Sequence, residues 1–121
     1  MRIVDVSTIV LASVLAACAS PNERVYEGTY TWGAEVEVFS SCRSGKTWWV
    51  STSEPIWLAL RDATQRLTSE PYEGIYVSVR GYYEGPASKE RGGAFSTQYD
   101  GLFQVTSLLS ARKSVAADCK A

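Results

Sequence analysis

Apolar and polar residues alternate from Tyr26 to Val38. Tyr30, Trp32, Val36 and Val38 share one parity, and Thr29, Thr31, Glu35 and Glu37 share the other. A period of two is that of a strand with one face buried. The pattern predicts one long strand over 26–38, with Gly33 as a bend or bulge in its middle. Ser40-Ser41-Cys42-Arg43-Ser44-Gly45-Lys46 has the composition of a turn. Thr47-Trp48-Trp49-Val50 reads as a second strand, paired with the first as a hairpin. The period then changes. Ile56, Leu60, Ala63 and Leu67 recur at helical spacing, while Arg61, Asp62, Gln65 and Arg66 face away. This predicts an amphipathic helix over 55–68, with Ser53 as its cap, Pro55 in its first turn and Trp57 as a core filler. Alternation returns from Gly74 to Tyr83: Ile75, Val77 and Val79 on one face, Tyr76, Ser78, Arg80 and Tyr82 on the other. Residues 84–93 form a polar loop rich in turn formers. Phe95 begins another short strand. Leu102 to Leu109 is the last, followed by a polar tail that carries Cys119.

Five strands and one helix make a mainly β fold. Short strands with glycines that permit curvature, at Gly33 and Gly81, point to a small closed barrel rather than a flat sheet. Five strands with one helix are the make-up of an oligonucleotide/oligosaccharide-binding (OB) barrel.

The N-terminus follows a different rule. Ile9 to Ala17 is an uninterrupted run of apolar and small residues behind Arg2. It is about nine residues long, against the roughly 20 a spanning helix needs. A short basic start, an apolar run and small residues before a polar stretch are the layout of a secretory signal peptide. Leu15-Ala16-Ala17-Cys18 resembles a bacterial lipobox. That resemblance implies cleavage after Ala17 and lipid on Cys18. Ala19 after the cysteine implies sorting to the outer membrane, facing the periplasm. Residues 1–17 are thus expected to be a cleaved signal, 18–24 a tether and 25–121 the barrel domain. About 100 residues remain after cleavage, enough for one modest core.

Composition removes several function classes. The net charge is −1 and the chain has no histidine. A near-neutral domain lacks the basic footprint of a nucleic-acid binder. Without histidine there is no Ser-His-Asp or Cys-His arrangement and no imidazole metal ligand. No cofactor loop or metal cluster is expected. Three cysteines are present. With Cys18 assigned to lipid, Cys42 and Cys119 remain, and an even pair in an exported chain reads as a disulfide, the alternative being two free thiols with a redox role, which the lack of a Cys-x-x-Cys disfavours. It would close a separation of 77 residues.

Several stretches also resemble a known family. Phe39-Ser40-Ser41-Cys42-Arg43-Ser44-Gly45-Lys46, Trp49-Val50 and Ile75-Tyr76-Val77-Ser78-Val79-Arg80-Gly81 are similar to the C-terminal OB domain of NlpE-type outer-membrane lipoproteins. So are Val105-Thr106-Ser107-Leu108 and Asp118-Cys119. The resemblance implies an OB barrel, places both cysteines where that domain has a disulfide, and implies a part in envelope stress sensing. Full-length members also carry an N-terminal barrel with a Cys-x-x-Cys, a motif this sequence does not contain.

The expected function is a non-enzymatic envelope lipoprotein, held to the membrane by its lipid, that binds or senses an envelope protein or glycan. Trp49, Tyr76, Tyr82 and Tyr83 are the candidate binding surface, as aromatics of the strands' outer face. The alternative is a lysozyme-inhibitor-like lipoprotein that inserts the loop over 84–93. An enzyme would have to draw on Glu35, Glu37 and Asp100, which no nucleophile accompanies.

Overall fold

The computed structural model describes residues 22–120. The expected signal peptide over 1–17 and Cys18 lie outside the described residues. The elements are β1 (Arg24–Gly33), β2 (Val36–Ser41), β3 (Thr47–Thr52), α1 (Glu54–Leu67), β4 (Ile75–Gly85), a 3₁₀ turn (Ala94–Gln98) and β5 (Leu102–Lys113). The strands close into a barrel in the order β1-β2-β3-β5-β4. Neighbours are antiparallel except β3 and β5, which run parallel. The fold is mainly β with one helix, as the sequence predicts. Arg24, expected in the tether, already belongs to β1.

The first predicted strand is two strands. β1 and β2 form a hairpin in which Gly33 pairs with Val36, so Ala34 and Glu35 make the turn. Partners across a hairpin point to the same side. Tyr30 pairs with Phe39 and Trp32 with Glu37, so the inward parity switches at the turn. Glu37 and Phe39 therefore face inward, and Val36 and Val38 lie on the opposite side of the strand, where Val38 is still buried. Glu35 takes φ 61° to close the turn, a conformation that a non-glycine residue adopts at a cost of about 1–2 kcal/mol. Phe95 begins no strand and sits in the 3₁₀ turn. The fifth strand comes from the division of the first.

The helix forms as predicted. Pro55 lies in its first turn, Leu60 and Ala63 are buried, and Ile56 and Leu67 pack at the core's edge. Ser53 occupies the cap position without a side-chain capping bond. Arg61 does not point freely to water. Its guanidinium lies 5.3 Å from the centre of the Trp32 ring and 5.2 Å from that of Trp57, so Trp57 works at the edge of the core.

β4 carries the curvature. Its register with β5 shifts at Ser78/Val79, Arg80/Gly81 and Tyr83/Gly85. At Gly81 a Cβ would stand 2.2 Å from the Gln104 carbonyl oxygen. Only glycine permits that approach.

The core is a stack of rings. Phe103 lies 5.2 Å from Phe39 and 5.0 Å from Trp48 in stacked geometry, and Tyr26 meets it edge-on at 4.9 Å. Val50, Ile75, Val77, Val79 and Val105 fill the remaining interior. Phe103 is fully buried and joins side chains from β1, β2 and β3 to β5. Phe103→Ala is expected to destabilise the domain by about 3–5 kcal/mol. Urea unfolding followed by tryptophan fluorescence checks this. A midpoint close to wild type would mean that the ring stack does not carry the fold.

Candidate functional site

The two remaining cysteines meet. Cys42, just after β2, and Cys119, in the tail, form a disulfide with Cα atoms 4.8 Å apart. Cys119 is exposed and Cys42 half-buried. The chain is turned toward this junction by local bonds. Cys42 N–H donates to the Glu27 carbonyl of β1 (2.9 Å) and Gly45 N–H to the Ser41 carbonyl (2.9 Å). On the other side a one-residue clamp holds the tail. Both terminal guanidinium nitrogens of Arg112, on β5, donate to the Asp118 carboxylate (Nη2 at 2.5 Å and Nη1 at 3.2 Å), and Val115 N–H donates to it as well (2.8 Å). The Asp118 side chain is 8 % exposed. Arg112 first, and the Val115 amide second, hold the Asp118 carboxyl below the usual range. The ion pair sets the chain direction immediately before Cys119.

Tyr76 sits at the same edge. The Arg112 guanidinium lies 4.1 Å from its ring centre, and its hydroxyl donates to Glu27 (3.1 Å) and stands 3.8 Å from Cys42 Sγ. A cleft of about 610 Å³ opens here between Tyr26, Glu27, Cys42, Tyr76 and Cys119. A surface disulfide beside a polar cleft is open to solvent thiols, unlike a bridge sealed in a core.

The four aromatics singled out as a binding surface do not share one patch. Tyr76 belongs to the disulfide edge. Trp49 pairs with Val38 and Leu102, and its ring is 5.8 Å from that of Tyr99. Tyr82 pairs with Gln104 on the outer face. Tyr83 departs from the expected orientation. It has the parity of Ile75, Val77 and Val79, so its ring turns to Trp48 (5.6 Å) at the barrel's rim, with its hydroxyl donating to the Asp100 carbonyl (3.3 Å).

The acidic candidates do not converge either. Asp100 exchanges two bonds with Thr47: its carboxylate accepts the Thr47 amide (3.0 Å) and its own amide donates to the Thr47 carbonyl (2.9 Å). That pair fastens the chain leading into β5 to the start of β3. Glu35 lies in the hairpin turn. Glu37, expected on a solvated face, is turned inward and accepts the Tyr30 hydroxyl (3.1 Å). Burial raises its carboxyl above the usual value, against the lowering effect of hydrogen bonds from Tyr30 and Trp57. Burial beside Glu37 also raises the Tyr30 phenol. The loop over 84–93, the inserting loop of the inhibitor alternative, is tied to itself. Ser88 and Arg91 exchange backbone bonds (2.9 and 3.1 Å), and Arg91 pairs with Glu84 at 3.8 Å. Among the described residues no cluster could hold a metal ion, and no helix is long and apolar enough to cross a membrane.

A family model described as the NlpE C-terminal OB domain matches residues 20–104. The crystal structure of the Cpx pathway activator NlpE from Escherichia coli is similar in fold. It superposes with a TM-score of 0.50 over 88 % of this chain, at 15 % identity. The chain spans 50 % of the length of that structure. No functionally curated protein matches.

Two outcomes follow from the junction. Joint replacement Cys42→Ser and Cys119→Ser removes a constraint on 77 residues of unfolded chain, which the chain-entropy relation puts at about 4.5 kcal/mol. Denaturation of the replaced and oxidised proteins measures the difference, and equal stabilities would contradict it. Asp118 gives the pH dependence. Its folded-state value is lowered, so its contribution is present above the ordinary aspartate value of 3.8 and is lost as pH falls through the folded value. Asp118→Asn should flatten the acid side of a plot of Tm against pH and leave its neutral limb sloping as before. An unchanged acid limb would show that the clamp does not stabilise the tail.

Proposed function

Because the chain belongs to the family of the NlpE C-terminal OB domain, we propose that it is a non-enzymatic interaction module of envelope-stress signalling. It is held to the membrane by lipid on Cys18 after removal of residues 1–17, and the tether leads into the barrel, whose first strand begins at Arg24. The lipobox resemblance of Leu15-Ala16-Ala17-Cys18 and the residue Ala19 favour the periplasmic face of the outer membrane. The observation that carries the reading is the family match over 20–104 on a closed barrel whose two other cysteines are bridged. A bridge of this kind belongs to an oxidising compartment. The similar crystal structure is that of a Cpx pathway activator, and that role is extended here to a chain half its length.

The site chemistry favours binding over catalysis. Glu37 is committed to Tyr30, and Asp100 to the Thr47 backbone. What the barrel offers a partner is its outer surface: Trp49 and Tyr82 on the strands, Tyr83 at the rim, and the disulfide edge with Tyr76. No observation on the barrel favours lysozyme inhibition over this reading.

Overproduction in Escherichia coli carrying a Cpx-responsive reporter tests the proposal. The wild-type chain should fractionate with membranes and raise the reporter. Cys18→Ala should move the protein to the soluble fraction. A membrane-bound wild-type chain with a flat reporter would remove the stress role and leave the lipoprotein reading. A wild-type chain that is soluble and retains residues 1–17 would remove both.

A further inference from the structure

We propose that the groove between the β1–β2 turn and the 3₁₀ turn, outside β2, receives a lysine or arginine side chain of a partner protein. This deepens the interaction-module reading and rests on it. The groove encloses about 320 Å³ and is lined by Glu35, Val36, Tyr72, Phe95, Gln98 and Tyr99. That volume is at the small end of ligand sites, about 300–1,000 Å³, and suits one side chain rather than a folded surface. Its aromatics come from two connecting segments: Tyr72 precedes β4, and Phe95 and Tyr99 precede β5. Tyr72 and Phe95 are each 51 % exposed. Single exposed aromatics are ordinary, but these two line one groove together with Tyr99, which leans on Trp49.

The groove is built rather than loose. Tyr72 takes φ 60° and Glu35 φ 61°. Among the described residues only three non-glycine positions have positive φ, the third being Cys119. Two of the three line this one groove. Such conformations persist where surrounding structure enforces them, and they gather at ligand clamps. Tyr72 is fixed further. Its hydroxyl donates to the Ala34 carbonyl (3.1 Å) in the hairpin turn. Its ring covers Gly33, where a Cβ would stand 2.3 Å from Tyr72 Cε1. Gly33 is thus kept free of a side chain so that the ring can lie there.

Charge selects the occupant. Glu35 is the lining carboxylate, and no lysine or arginine lines the groove. An aromatic face attracts a cation through its ring quadrupole, arginine and lysine alike. The Glu35 carboxylate, in the same lining as Tyr72, Phe95 and Tyr99, adds direct pairing. The same carboxylate repels phosphates and nucleic acid. A neutral glycan can stack on rings and donate hydroxyls to a carboxylate, but it gains nothing from the charge itself, and it is the competing occupant that the test below separates.

Amide chemical shifts of the ¹⁵N-labelled soluble domain, titrated with acetyl-Gly-Lys-Gly-Lys-Gly-amide, test the proposal. The expected result is saturable shifts confined to residues 34–36, 72 and 95–99, weakened roughly fivefold by Glu35→Gln and by Phe95→Ala. Both positions are exposed, and unchanged thermal unfolding shows that the variants fold. The peptide with norleucine in place of lysine should not bind. Equal binding of the norleucine peptide, shifts scattered over all acidic residues, or binding of an N-acetylglucosamine trimer in place of the peptide would each overturn the proposal. The cell reporter separates this from the broader reading. A peptide that binds while the reporter stays flat upholds the groove and removes the stress role. A reporter that rises while the peptide fails to bind removes the groove alone.

Discussion

Everything on this surface depends on closure of the barrel. β1 pairs with both β2 and β4, but the ring is completed only where β3 meets β5. That pair is parallel, running from Trp49 beside Leu102 to Thr52 beside Val105, and a parallel pair cannot be joined by a hairpin. The chain between them must travel through α1, β4 and the 3₁₀ turn. What rewards the journey is Phe103. Its ring contacts Phe39, Trp48 and Tyr26, so one side chain of the last strand completes the interior begun by the first three. In an open sheet these rings would face water.

Closure also fixes what lies outside. The disulfide edge and the aromatic groove share no lining residue, yet each is assembled from segments far apart in sequence. The first joins the ends of β2 and β5 through Cys42, Arg112, Asp118 and Cys119. The second joins the β1–β2 turn to the connections before β4 and β5. Neither exists in any single hairpin. An interaction module needs such fixed surfaces, because ordering loose segments at the moment of binding weakens the complex.

Much of this was legible in the sequence. The periods at 55–68 and 74–83 gave α1 and β4, because amphipathic spacing follows directly from burial on one side. The cysteine arithmetic paired Cys42 with Cys119. The hairpin at Ala34-Glu35 was hidden. Glu35 stands where a turn usually places glycine or asparagine, and a two-residue turn leaves the alternation outwardly intact while exchanging its faces. For the same reason the alternation alone places Glu37 on the solvated face and leaves Phe39 outside the core. Tyr83 shares the parity of Ile75, Val77 and Val79, so the alternation itself places it on the inner side, where its ring meets Trp48 at the rim. Tyr72, Phe95 and Tyr99 lie in segments without a period. Only tertiary contact gathers them, so no pattern in the sequence marks the groove. Arg112 and Asp118 could be found only once the tail's course was known.

The most direct measurement is native-state amide exchange on the oxidised domain, comparing β3 and β5 with the β1–β2 hairpin. If closure governs the fold, the slowest amides of Val50, Phe103 and Val105 should exchange only through global unfolding, at the same free energy as those of Tyr30 and Phe39. Exchange of β3 and β5 at a distinctly lower free energy, with the hairpin still protected, would describe an open sheet and contradict the account.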